Sequence, residues 1–242
     1  IFIPRTFKKI IINNKEELLK YKKSIFKLYK DSFGQAFEES IWHWAYIENP
    51  NGDPIVSLYF DGEKLVGHYA VIPVSLVFNG IEIKAGLSMT TMVDSSYRKH
   101  GIFITQADET YQKAKELGYK LVYGFPNKKS APGFKKRLEW ILEEDLYVAK
   151  LNKKELLNLE KEDRNCIEFN ISNEDNLKWR LDKPSQEYIQ QEHNIYKKFG
   201  DELDIVFNKG DFSDLKQSME YNILLNEKSD EYVEKKQFDY IF

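Results

Sequence analysis

Cysteine is nearly absent from this sequence, with Cys166 the single one among 242 residues. One cysteine excludes an internal disulfide framework and a metal site built from cysteines. A chain of this kind is expected in the reducing environment of the cytoplasm.

Long apolar runs are missing too. No segment approaches the roughly 18 consecutive apolar residues of a membrane span, so no span is predicted. The start, Ile1-Phe2-Ile3-Pro4-Arg5, lacks the basic-then-apolar layout of a signal peptide. Because it does not begin with Met, we expect the true N-terminus to precede it. With 42% apolar and 31% charged residues, the composition is typical of a soluble globular protein.

A basic excess, which nucleic-acid binding favours, is also lacking. Lys and Arg number 36 against 39 Asp and Glu, and the net charge is −3. We therefore expect no nucleic-acid partner. Metal ligands at a recognisable spacing, a Ser-His-Asp arrangement and a Gly-x-Ser-x-Gly motif are absent as well, so no metal site is predicted.

Helical patterns open the chain. Asn14 followed by Glu17 is typical of a helix N-cap, and apolar residues then recur at helical spacing as far as Phe33-Gly34. This pattern predicts one amphipathic helix. A second, short helix is predicted for Phe37 to Ile47, ahead of the turn-forming residues 49–52.

An antiparallel meander is predicted next. Its strands run from Ile55 to Phe60, from Leu65 to Phe78 and from Ile81 to Val93. Asn79-Gly80, between the second and third of these, is a strong hairpin signal.

A strand-turn-helix-strand unit follows the meander. The turn spans Arg98 to Gly101, the helix is closed by Gly118, and Leu121 to Phe125 has the composition of a short apolar strand. This order predicts a parallel pair of strands across the helix. A further short helix is predicted for Pro132 to Trp140.

These elements predict an α+β (α/β) protein with a mixed, mostly antiparallel sheet flanked by helices. We assign residues 1–150 to one domain and residues 151–242 to a C-terminal extension. The segment from Trp179 to Pro184 echoes the segment from Trp44 to Pro50, each closing a short helix before a strand-like run. Either the extension is a partial second copy of the first domain, or the match is due to chance.

The turn at Arg98 to Gly101 has the chemistry of a phosphate site. A helix N-terminus presents unpaired N–H groups and the positive end of the helix dipole. Gly101 lets the backbone close around an anion without a Cβ, and Arg98 and Lys99 add cationic donors.

This part of the chain resembles the GNAT superfamily of acyl-CoA-dependent N-acetyltransferases. The resemblance lies in the order of a strand, an Arg-x-x-Gly turn, an amphipathic helix and a short strand followed by Asn127. The resemblance covers residues from about Ile25 to Tyr147 and implies that acetyl-CoA, or another acyl-CoA, is the cofactor. By the same resemblance, backbone groups of the strand before the turn hold the pantetheine arm and the turn holds the pyrophosphate. The implied cofactor-binding residues are Met92, Val93, Arg98, Lys99, His100, Gly101, Ile102, Phe103, Ile104 and Asn127.

Two positions depart from the family pattern. Phe103 stands where the family has Gly or Ala two residues after the glycine of the turn. Phe134 stands where the family has a Tyr that protonates the departing thiolate, and a phenyl ring has no proton to give. Water could supply that proton, because a thiol of pKa about 8.5 is a tolerable leaving group.

A general base must take a proton from the attacking amine. The candidates are His68 and Tyr69 in the meander, Thr90 and Thr91 on the strand before the turn, Asp94 at its end, and Tyr123 on the next strand. Of these we select His68, Asp94 and Tyr123. The alternative for His68 is a sheet histidine with a backbone partner, and for Asp94 a turn-forming residue. The sequence does not say which face of the sheet forms the cleft.

The predicted function is transfer of an acyl group from acyl-CoA to a primary amine by direct attack. The acceptor stays open among an amino sugar of a surface polysaccharide, a small amine or antibiotic, and a peptide amine. Resemblance to two-lobed GNAT-like proteins favours the amino sugar. A non-catalytic acyl-CoA-binding or interaction domain is the first alternative, and an aminoacyl transferase that uses charged tRNA is the second. The oligomeric state is not predicted.

Overall fold

A computed structural model describes residues 6–142, 147–159, 167–208, 211–225 and 235–237. Cys166 and the first five residues lie outside this part of the chain. The helices are α1 (Lys15–Leu19), α2 (Lys22–Phe33), α3 (Glu39–Tyr46), α4 (Ile102–Glu116), α5 (Ala131–Arg137), α6 (Lys153–Leu157) and α7 (Glu174–Leu181). The strands are β1 (Lys8–Ile12), β2 (Ile55–Asp61), β3 (Lys64–Phe78), β4 (Ile81–Val93), β5 (Leu121–Gly124), β6 (Tyr147–Asn152), β7 (Glu168–Phe169), β8 (Glu187–Gln190), β9 (Asn194–Phe199), β10 (Glu202–Asn208), β11 (Glu220–Leu225) and β12 (Lys235–Gln237).

The chain forms two compact units that interleave along the sequence. Unit 1 consists of Ile1–Phe125 and Cys166–Arg180, and unit 2 of Pro126–Asn165 and Leu181–Phe242. Each unit therefore takes residues from both sides of residue 150. The assignment of residues 1–150 to one domain and of residues 151–242 to a C-terminal extension stays a prediction.

The sheet of unit 1 has the strand order β1-β2-β3-β4-β5, with β7 added beside β3. All its pairs are antiparallel except β4 with β5, which run parallel. This confirms the predicted mixed sheet and the parallel pair across the helix. Asn79 and Gly80 both have positive φ, 50° and 75°, as the tight turn of a twisted hairpin requires.

Helices cover both faces of this sheet. On one face, α4 contacts β2, β3 and β4. On the other face, Ala70 and Ile72 of β3 belong to the main apolar core, together with Trp42 and Tyr46 of α3. Because both aromatic side chains have no exposed surface, they form part of that core.

The predicted single helix at the start of the chain is wrong in one respect, because it is divided into α1 and α2. The N-cap is confirmed, since the Asn14 side chain accepts a hydrogen bond from the Glu17 N–H at 2.8 Å. At the end of α1, the N–H groups of Lys20 and Tyr21 bond to carbonyls three residues back. Bonds of this spacing tighten the last turn and end the regular helix.

The sheet of unit 2 has the order β12-β6-β11-β10-β9-β8, and β10 with β11 is its parallel pair. A cavity of about 380 Å³ opens on one face of this sheet, with the rings of Tyr196 and Tyr221 among its lining. No helix within the described ranges has the length and apolar character to cross a bilayer.

Unit 2 also repeats a local pattern of unit 1. Asn-Lys-x-Glu-Leu-Leu occurs at 14–19, after β1, and at 152–157, starting at the last residue of β6. In both copies the asparagine side chain accepts a hydrogen bond from the glutamate N–H and so caps a short helix. The echoing segments of Trp44 and Trp179 both contribute to unit 1, so that echo does not itself mark a copy in unit 2. The partial second copy remains a prediction.

Candidate functional site

The sheet of unit 1 splits between β4 and β5. Their parallel pairing runs from Ala85 with Leu121 to Ser88 with Gly124, but β4 continues to Val93. Within the described residues, no strand pairs with this edge of β4 beyond Ser88. Alternate N–H and C=O groups of a strand point to each side, so this open edge offers hydrogen-bonding groups to a ligand.

A β-bulge interrupts β4 beside the split. The register changes from His68 opposite Met92 to Ala70 opposite Met89, so two residues of β4, Thr90 and Thr91, face one residue of β3. Thr90 has φ of 54°, in the left-handed region that threonine rarely adopts. The bulge therefore changes the direction of the backbone groups on the open edge.

The predicted turn after β4 is confirmed, although part of it is helical. Residues Ser95–His100 form a 3-10 helix, and Gly101, at φ 71°, joins this to α4 without a side-chain cap. The first bond within α4 runs from the Thr105 N–H to the Gly101 carbonyl. The N–H groups of residues 102–104 precede that bond and have no acceptor inside the helix.

The cations of the turn are exposed beside this helix end. Arg98, Lys99 and His100 all lie on the surface. The ring of His100 contacts that of Phe7, with centroids 5.9 Å apart. A Cβ placed on Gly101 would meet nothing within 4 Å, so the space on that side of the residue is open.

Two residues anchor the 3-10 helix to the sheet. Asp94 accepts a hydrogen bond from the Ser96 N–H at 2.9 Å and forms an ion pair with Lys64 at 2.7 Å. The Lys64 ammonium holds the pKa of the Asp94 carboxyl below its usual range. Tyr97 is buried, and its hydroxyl donates to Asp61 at 2.7 Å. The sequence offered no sign of Tyr97, because its partner is 36 residues away.

Close packing sets the position of α4 on the sheet. A Cβ on Gly67 of β3 would lie 2.6 Å from Cγ2 of Ile102 and 2.7 Å from Oε1 of Gln106. The Gln106 side chain, fully buried, donates to the Ser57 carbonyl of β2 at 2.8 Å. Glycine at position 67 therefore lets the N-terminal turns of α4 approach the strand.

The family is decided by a match to residues 19–142, about half of the chain, which fit the acetyltransferase (GNAT) domain. The chain belongs to the GNAT acetyltransferase family. The matched range contains the meander, the split sheet, the turn at Gly101 and α4. Searched against curated proteins, the chain has no match.

Two solved structures are similar in fold to this GNAT chain. A conserved protein of unknown function from Enterococcus faecalis has a TM-score of 0.59 at 13% identity, and the match covers 90% of this chain and 65% of that one. A GCN5-related N-acetyltransferase from Kribbella flavida has a TM-score of 0.60 at 8% identity, with 91% and 64% covered. The chain thus spans less than two thirds of the length of either protein.

Phe103, which departs from the GNAT pattern, packs towards the sheet. Its half-buried ring lies 6.2 Å from the ring of Tyr69 on β3. The Tyr69 hydroxyl accepts a hydrogen bond from Ser88 at 2.9 Å and lies 2.6 Å from the Tyr111 hydroxyl of α4. Burial raises the pKa of Tyr69 well above its usual value, so this hydroxyl stays protonated.

Met92 and Val93 differ in burial. Met92 belongs to the main core with 3% of its surface exposed, and Val93 packs beside Tyr97. Contacts between these residues and a cofactor arm would therefore be made by the backbone. The predicted cofactor role of both residues remains a prediction.

His68 lies in the core, with 1% of its surface exposed. Its Nδ1 is 2.7 Å from the carbonyl oxygen of Thr90 in the bulge. Burial lowers the pKa of its ring to about 4, so the ring is neutral near pH 7. A carbonyl oxygen only accepts, and Nδ1 therefore carries the proton.

Tyr123 lies on β5, one residue before Gly124, which forms the last pair of β4 with β5 before the strands separate. Its side chain is half-buried, and burial raises the pKa of the phenol to about 12. The group is thus protonated near neutral pH. The roles predicted for His68, Asp94 and Tyr123 stay predictions.

Two predicted residues belong to unit 2. Asn127 is exposed, and its side-chain oxygen accepts hydrogen bonds from the N–H groups of Lys129 and Ser130, both at 3.0 Å. Phe134 is buried, with its ring 4.7 Å from that of Trp140. The cofactor contact of Asn127 remains a prediction.

Proposed function

We propose that this chain transfers an acyl group from acetyl-CoA, or another acyl-CoA, to a primary amine. One observation carries the proposal: the open edge of β4, from Met89 to Val93, runs directly into the basic turn and the uncapped N-terminus of α4. One continuous stretch of backbone thus provides donors for an extended arm and then donors for phosphate.

The donors at the turn fit a pyrophosphate. The N–H groups of residues 102–104 and the positive end of the α4 dipole favour an anion, and Arg98 and Lys99 add positive charge. Gly101 has no side chain to obstruct the approach, and the space before it is open. Phe103 does not block this path through its ring, because that ring packs on Tyr69.

The open edge of β4 fits the amide-containing arm of the same cofactor. When bound, acyl-CoA would supply a thioester carbonyl that an amine can attack. A backbone N–H at the bulge would donate to that carbonyl oxygen and stabilise the negative charge that develops there. The attacking amine would lose its proton to water and form a bond to the thioester carbon, and the C–S bond would break to release CoA. Tyr123, protonated and beside the split, is the side chain that we assign to donating a proton to the departing thiolate.

The acceptor that we propose is an amino sugar. The support is the resemblance to two-lobed GNAT-like proteins, with which the repeated Asn-Lys-x-Glu-Leu-Leu segments agree. A small amine or a peptide amine would use the same chemistry at the thioester.

The proposal is tested in two steps. Thermal unfolding is measured with and without CoA and acetyl-CoA, because a ligand that binds the native state raises the midpoint. Release of free thiol is then followed with glucosamine, an aminoglycoside and a short peptide as acceptors. Stabilisation and thiol release with an amine support the proposal.

A non-catalytic acyl-CoA-binding domain is the second candidate, and Phe134 favours it because the family's proton donor is replaced by an apolar ring. Binding of CoA without thiol release from any amine would support this candidate. Absence of any shift with either cofactor would overturn both candidates.

A further inference from the structure

Thr90 is an unusual residue for a strand. The non-glycine residues with positive φ in the described ranges are Asn79, Thr90, Glu139 and Ser185, and of these Thr90 alone lies inside a strand. A β-branched side chain in this region is strained and persists only where its surroundings hold it. Something must therefore stabilise the bulge.

The closest candidate is His68, opposite the bulge on β3. Its Nδ1–H donates to the Thr90 carbonyl at 2.7 Å, and the ring is buried in the core near Tyr46. Since the ring is fixed by this packing, the carbonyl of Thr90 has a single direction. The N–H of Thr91 belongs to the same planar peptide group as this carbonyl, so its direction is fixed as well.

We propose that His68 is a positioning residue that acts through Thr90, holding the bulge so that a backbone N–H of the open edge of β4 meets the thioester carbonyl. This inference rests on the proposed function, because it assigns the bulge a role in acyl transfer. It also replaces the role of general base considered for His68.

The surroundings of His68 disfavour the role of base. Nδ1 is already engaged with Thr90, and Nε2 is buried without a hydrogen-bond partner among the described residues. An amine would have to enter the core to reach Nε2. His68 therefore affects the reaction through the backbone that it holds.

The first test compares His68→Phe with His68→Asn. Phenylalanine fills the site without a donor, whereas the Asn amide can place an N–H where Nδ1 lies. His68→Phe should lower kcat by about 100-fold, the lower end of the loss that follows removal of an oxyanion donor. The Kd for CoA should stay near that of the wild type, because the turn at Gly101 is unchanged. His68→Asn should recover most of the lost kcat.

The second test is a double-mutant cycle with Thr90→Gly. Glycine adopts φ of 54° without strain, so the bulge then depends less on His68. His68→Phe should lower both kcat and the urea midpoint more in the wild-type background than in the Thr90→Gly background. Equal effects in the two backgrounds would show that His68 does not act through Thr90.

The outcomes separate this inference from the proposed function. Wild-type kcat in His68→Phe, or a fall in kcat that His68→Asn does not recover, would overturn the inference while acyl transfer stands. A wild type that neither binds CoA nor releases thiol would overturn the proposed function. The unfolding cycle still measures the coupling of His68 to Thr90 in that case, and absence of coupling would overturn the inference too.

Discussion

Trp44 and Trp179 stack face to face, with ring centroids 4.6 Å apart and planes 7° from parallel. Each indole N–H donates to the backbone carbonyl of the other residue, at 2.6 Å and 2.8 Å. The two segments that echo each other in sequence therefore make reciprocal contacts, and each tryptophan occupies an equivalent environment. Both lie within unit 1, so the stack ties α7 to α3.

Replacing Trp44 by Phe should destabilise the protein by more than the same change at Trp42. Both rings are buried, but the indole nitrogen of Trp42 has no hydrogen-bond partner within the described residues. Trp44→Phe also leaves the Trp179 carbonyl without its donor, which costs about 1–3 kcal/mol beyond the loss of ring volume. Urea unfolding of both variants measures the difference. Equal free energies of unfolding would mean that the reciprocal bonds add nothing.

Gly101 and Gly118 form a matched pair at the two ends of α4. Both have positive φ, 71° and 81°, and a Cβ on either would meet nothing within 4 Å. Gly101→Trp and Gly118→Trp should each cost about 1–2 kcal/mol of backbone strain. Only Gly101→Trp should abolish CoA binding, because its ring enters the proposed phosphate site. Calorimetric titration with CoA decides, and wild-type affinity in Gly101→Trp would exclude this turn as the pyrophosphate site.

Adding a methyl group at Gly67 should loosen α4. The new Cβ would overlap Cγ2 of Ile102, at 2.6 Å, so helix and strand must separate. Gly67→Ala should lower the free energy of unfolding by about 1–3 kcal/mol. The double variant Gly67→Ala with Ile102→Ala should lose less free energy of unfolding than the sum of the losses in the two single variants. Additive losses in urea unfolding would show that no overlap occurs.

The pH dependence of stability should contain a contribution from Asp94. Lys64 lowers the pKa of this carboxyl in the folded state. The contribution to stability is therefore fully present above the pKa of the unfolded chain, which is about 4. This contribution is lost as the pH falls through the lowered pKa of Asp94 in the folded protein. Asp94→Asn should therefore show a flatter decline of stability below about pH 4 than the wild type. Urea unfolding at several acidic pH values tests this, and Lys64→Met should flatten the decline similarly. Parallel curves for all three proteins would contradict the assignment.

Local sequence patterns predicted most elements of unit 1. The bounds of β4 match the prediction, and the Asn79-Gly80 hairpin and the parallel β5 are confirmed. These features depend on residue alternation and turn chemistry, which are visible along the chain. The turn before α4 was located for the same reason, because a glycine that ends one segment and opens a helix is a local signal.

Features that depend on distant contacts could not be predicted. The bulge at Thr90 is held by His68, 22 residues earlier, and two adjacent threonines give no sign of it. The sequence also did not show which face of the sheet each side chain is on. Tyr69 points towards α4, whereas His68 points into the core against α3. The repeat of Asn14 in Asn152 is visible in the sequence, and a search for internal repeats of six residues would have found it.

The bulge has a further consequence for the exposed edge of β4. An open edge in the middle of a sheet is a template on which a strand from another molecule can pair, and such pairing leads to aggregation. A regular strand needs an unbroken alternation of donors and acceptors, which Thr90 interrupts within the stretch from Met89 to Val93. The irregularity at Thr90 therefore makes this edge a poor partner for another β-strand.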